Sequence, residues 1–194
     1  MKRGELPYTR EGDRFLIEVK LNELQQLYNT LDPAPSREKE LDQHVDAYIV
    51  ESAQELPPGS PIKLVLHFPP AIEAIAPDTI PETIHNHFGY RAHNATLELR
   101  RILRNGRGSL VIGVAFLFVC LTLRALVHAR AGGTLAEIMQ EGLLIMGWVA
   151  MWRPIQIFLY DWWPIQRKRR VLERLVAIPV QVRFGAPAPL RLGP

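Results

Sequence analysis

Residues 109–128 read SLVIGVAFLFVCLTLRALVH, a run that leaves the chain few places to go. Twelve of these twenty residues are Leu, Ile, Val or Phe. On an insertion scale they give about −4 to −7 kcal/mol, against roughly 2.5–3.5 kcal/mol for one central arginine. The single charge in the run is Arg124. Twenty helical residues also match the thickness of a bilayer's hydrocarbon core. The run is therefore expected to be a transmembrane helix.

A second apolar run covers residues 136–160. It holds nine such residues but also Glu137, Gln140, Glu141, Arg153 and Pro154. Its polar groups need a receiver, which the first span or a partner can supply. The connection ARAGGTL (129–135) suits a tight antiparallel hairpin. Five arginines lie in 91–108, and Arg167, Lys168, Arg169, Arg170 and Arg174 follow the second run, whereas the connection holds only Arg130. This asymmetry predicts a multi-pass protein of the inner (plasma) membrane with both termini cytoplasmic. Tyr160, Trp162 and Trp163 then mark the inner interface.

The two halves of the chain differ in charge. Residues 1–108 carry 13 Lys/Arg against 16 Asp/Glu, and residues 109–194 carry 10 against 4. The excess base flanks apolar runs, so the lipid bilayer is a simpler partner than nucleic acid. The lone cysteine, Cys120, cannot form a disulfide within the chain and reads as a packing residue.

The N-terminal part reads as a small cytosolic α+β module. FLIEVKL (15–21) and IKLVLHF (62–68) have strand character, and apolar residues at spacings of three and four predict a helix over 37–56. Pro57-Pro58-Gly59 stops that helix. Residues 1–13 read as loose and 71–80 as loop, before a long helical stem from Pro81 that Asn105-Gly106 kinks or ends. IPVQVRF (178–184) alternates like a strand and could join the N-terminal strands in one sheet. It sits in a basic interfacial segment (161–194) whose Pro/Gly-rich end, 185–194, is expected to be disordered. The fold class is thus a small α+β module plus a two-helix transmembrane hairpin.

The intramembrane charges are the leading candidate site. In an antiparallel hairpin Arg124 and Glu141 fall at similar depth and are expected to pair. Three roles stay open: fixing register, handling a proton or substrate, or separate snorkelling of each side chain. Ser109, Gly113, Leu117, Cys120 and Arg124 share one side of the first helix, and Glu141, Ile145, Trp148 and Trp152 one side of the second. That register sets Trp152 near Gly113, and Trp148 near Leu117 and Cys120. Arg153 reaches the head groups or pairs with Asp161, and Pro154 suggests a kink.

No catalytic, nucleotide or metal motif is present. His85 and His87 point to different sides of a helix, so with His93 they read as exposed residues rather than metal ligands. Asp42 and Asp46, four apart, read as a solvated face. No cofactor and no enzymatic activity are expected.

The stretch EGLLIMGWVAMWRPIQIFLYDWWPIQRKRR (141–170) resembles a block of small bacterial inner-membrane proteins with two spans. SREKELDQHVDAYIVESAQELP (36–57) is similar to their cytosolic part. The resemblance implies a bacterial-type membrane protein and carries over no functional residue. The expected role is a membrane-anchored interaction or accessory protein that self-associates or joins a larger membrane partner. One alternative is a subunit of an oligomeric channel or transporter lined by Arg124, Glu141 and Arg153. A membrane-surface enzyme is the other.

Overall fold

A computed structural model describes residues 8–29, 40–130 and 132–185. It contains a four-stranded mixed sheet and long helices, two of them apolar enough to cross a membrane. The chain divides into two compact units. One holds the residues up to His93 and from Arg169 on, and the other is Asn94–Lys168.

The first unit is built on the sheet, in the order β1 (Arg10–Glu11), β2 (Arg14–Lys20), β3 (Ile62–Phe68), β4 (Val180–Phe184). Residues 10 and 11, expected to be loose, pair antiparallel with β2. Gly12, at φ +65°, makes the two-residue turn between them, a conformation that costs glycine least. β2, β3 and β4 run parallel. Register aligns Phe15, Ile17 and Val19 with Ile62, Leu64 and Leu66, so alternation puts all six, buried, on one face. The tail strand therefore does join the N-terminal strands, pairing Leu64 with Val180 and Phe68 with Phe184.

Parallel neighbours need crossovers. Between β2 and β3 the connection includes a 3-10 turn (Leu24–Leu27) and α1 (Gln43–Glu55). Helix α1 starts later than the pattern over 37–56 suggests, and residues 37–39 lie outside the described residues. Asp42 sets the boundary, because its carboxylate accepts from the backbone N–H of His44 (2.9 Å). Leu41, ahead of it, bridges to Tyr28 instead. The expected loop over 71–80 contains part of a second 3-10 turn, Pro70–Ile72, with Ile72 buried. From β3 to β4 the crossover is three long helical stretches: α2 (Ile80–Arg130), α3 (Thr134–Gln156) and α4 (Trp162–Val176). In the first unit, Ile84 and Phe88 of α2 and Leu172 and Leu175 of α4 are fully buried.

Helix α2 runs unbroken through Asn105-Gly106, where the sequence suggests a kink or an end. The reason is packing. A Cβ added at Gly106 would lie 2.7 Å from Ile157 Cγ2, so the glycine is a point of close approach within the second unit. Helices α3 and α4 are continuous through a π-turn, Ile157–Asp161. The turn begins three residues after Pro154, which cannot donate to the carbonyl of Ala150. The Trp162 indole donates to the Phe158 carbonyl (2.7 Å), satisfying a backbone acceptor inside the turn.

Candidate functional site

The second unit contains an antiparallel helical hairpin whose seam is made of small residues. Gly106, Gly113 and Cys120 recur every seven residues on α2 and are all buried. On α3, Gly147 and Pro154 are buried at the same interval. A Cβ at Gly113 would lie 3.0 Å from the Ala150 carbonyl oxygen, and one at Gly147 would lie 2.6 Å from Leu117 Cδ1. Sevenfold spacing of small residues keeps one seam in contact along both helices.

The expected side of α2 faces this seam, since Gly113, Leu117 and Cys120 all meet α3. The side of α3 differs. Gly147, not Trp148, lies against Leu117 and Cys120, and Ala150, Met151 and Pro154, not Trp152, lie against Gly113. Trp148 and Trp152 are 67% and 72% exposed. The physical reason is backbone approach: a tryptophan in the seam would hold the helices apart, while glycine and alanine let them close.

Arg124 and Glu141 are both exposed. Among the described residues, neither forms an ion pair within the chain. Arg153 pairs with Asp161 at 3.4 Å. Arg167 lies over the Trp163 ring, 4.7 Å from its centroid.

In the first unit a charged cluster joins α1 to α2. Asp46 on α1 receives Arg91 on one carboxylate oxygen and the His87 Nε2–H, at 3.0 Å, on the other. His87 and Arg91 stand four apart and so share a face of α2. The backbone N–H of Leu41 donates to His87 Nδ1 (3.4 Å), which orients the ring with Nε2–H toward Asp46. Burial by itself pushes the Asp46 carboxyl up. The His87 hydrogen bond and the Arg91 charge outweigh it and hold the group below the usual carboxylate range. Asp46 is therefore a tertiary anchor rather than part of a solvated face. The His85 Nε2–H donates to the Ile178 carbonyl oxygen (2.8 Å). Only His93 of the three histidines is exposed as expected.

A second polar network crosses the sheet. Glu11 on β1 accepts from Lys63 on β3 (2.6 Å) and from Arg183 on β4 (3.4 Å). Buried His67 meets Glu18 at 3.1 Å. These pairs tie strands together, and among the described residues no group of three His, Cys, Asp or Glu could hold a metal ion.

Sequence reasoning misses Gly147 and the Asp46–His87–Arg91 cluster. Gly147 carries a signal, because Ala136, Gly147, Ala150 and Pro154 form the small-residue stripe of α3. The cluster carries none, since it exists only once α1 packs on α2.

Compared with protein-family models, with curated proteins and with solved structures, the chain matches none. The resemblance of residues 141–170 to two-span inner-membrane proteins gains no support from them.

Proposed function

We propose that the protein is a membrane-anchored interaction or accessory protein whose hairpin crosses a bilayer and whose sheet unit lies at the cytoplasmic face. The observation that carries this reading is the bare apolar surface of the hairpin. Only 11% of the most apolar window of α2, and 17% of that in the α3–α4 stretch, is buried. Core helices of soluble proteins are mostly covered, and the bareness of these windows supports the membrane reading. Val111, Ile112, Phe118, Ile145 and Val149 are all more than half exposed. In water a contiguous apolar surface of this kind invites association. In lipid it is at rest.

Basic residues support the orientation. Arg100, Arg101, Arg104 and Arg107 are exposed near one end of the hairpin, as are Arg167 and Lys168. The test is labelling with a membrane-impermeant maleimide on a Cys120→Ser background. Gly132→Cys is suitable because nothing lies within 4 Å of a Cβ there. In right-side-out vesicles this site is expected to label from outside, whereas Asn94→Cys labels only after permeabilisation. Protection of both sites until lysis would replace the hairpin with an anchor lying on the inner surface.

A second reading, a subunit of an oligomeric channel or transporter, draws support from exposed Arg124 and Glu141, which form no ion pair among the described residues. It predicts that Glu141→Gln alters conductance or uptake while the protein stays in the membrane.

A further inference from the structure

We propose that Arg124 and Glu141 pair between two copies of the chain, making the hairpin a dimerising unit. The inference rests on the membrane reading above. It starts from depth. Leu117 lies against Gly147. Arg124 is seven residues further along α2, and Glu141 is six residues back along α3. At the rise of a helix these are displacements of about 10 Å and about 9 Å in the same direction. The two charges thus occupy one level of the hairpin, near its connection.

They do not occupy one side. Arg124 continues the side of α2 that carries Leu117 and Cys120. Glu141 belongs to the α3 stripe of Ile145, Trp148 and Trp152, turned by about 120° from Gly147. That whole stripe is exposed, with spacings of four, three and four residues. Such spacing suits left-handed packing against another helix. Gly142, beside Glu141, has nothing within 4 Å of a Cβ, so another backbone can come close there.

Among the described residues Arg124 and Glu141 are without an ion pair, and at membrane depth each is stabilised by a counter-charge. Lipid tails offer neither. A second copy in the same bilayer, with the same orientation, offers both at the same depth. A two-fold axis along the bilayer normal brings Arg124 of each copy to Glu141 of the other. Each dimer gains two such pairs with no charge left over.

Two differently tagged chains, co-expressed in one membrane, test the pairing. Arg124→Glu alone and Glu141→Arg alone are each expected to lose co-isolation with their own kind by about tenfold. Mixed together they are expected to recover it, because the first presents two acids at this level and the second two bases. Pairing within one chain predicts no such recovery. A second measurement keeps both charges: on a Cys120→Ser background, Ala125→Cys in one tagged chain and Gly142→Cys in the other are expected to form a disulfide between chains. Self-association that survives both single reversals, or failure of the mixed pair together with absence of the inter-chain disulfide, overturns the proposal. Carbonate-washed membranes are assayed in parallel. Wild-type protein retained there without association sinks only the dimer, whereas wild-type protein released by carbonate sinks the membrane reading itself.

Discussion

Gly113→Leu is expected to part the two helices of the hairpin. The Ala150 carbonyl and the Met151 sulfur already stand 3.0 Å and 3.3 Å from where a Cβ would sit. The first of these is backbone, which cannot swing aside as a side-chain tip can. Overpacking of this kind costs about 1–3 kcal/mol, and a full leucine leaves no alternative to separation. A thiol reporter is available on the next turns. A Cβ at Gly147 would lie 3.4 Å from Cys120 Cβ, close to the spacing of bridged cysteines. In Gly147→Cys, oxidation is expected to remove both thiols of most chains from reaction with maleimide, once Leu117 Cδ1 swings clear. Adding Gly113→Leu is expected to leave them reactive. Unchanged protection in the double variant would mean that the seam does not depend on Gly113.

Asp46→Ala is expected to cost about 3 kcal/mol, because it leaves Arg91 and His87 without the carboxylate they share. The Asp46 side chain is only 13% exposed, so water does little to replace it. Hydrogen exchange of the α1 amides in detergent or nanodiscs reads the loss, as would a lower thermal midpoint. The pH dependence follows from the depressed carboxyl of Asp46. Its contribution is complete above the ordinary carboxylate value of 3.8 and is lost as pH falls through the lower folded value. Wild type is thus expected to lose α1 protection in acid, and Asp46→Asn to lack that component. Equal acid sensitivity in the two proteins would assign the transition to other carboxylates.

The apolar run over 109–128 and the strands at 15–21, 62–68 and 178–184 are legible because each depends on a local period or length. The π-turn is only half legible: Pro154 announces a disturbance, but its form depends on which backbone groups find partners. The α3 seam is harder to read. Tryptophan is the largest hydrophobic residue, and by area alone Trp148 and Trp152 look like packing residues. Helices in close contact follow the opposite rule, and Gly147 and Ala150 take the inside places. Asp46 and Asp42 have the same spacing pattern from sequence, yet one caps α1 and the other binds α2. Nothing within α1 separates them, because what distinguishes Asp46 is the arrival of His87 and Arg91 from another helix.

The pairing of β3 with β4 has a consequence for biosynthesis. Leu64 and Val180 are neighbours in the sheet but lie more than half the chain apart in sequence. Loop-closure entropy makes such distant partners meet late. While the ribosome is still adding α2, α3 and α4, β3 waits with one edge bare. Only a chain whose hairpin has been made in full can cover it. Completion of the sheet thus acts as a receipt for the helices that precede its last strand. A chain stalled within the hairpin keeps an open strand edge, the kind of feature that chaperones and proteases recognise.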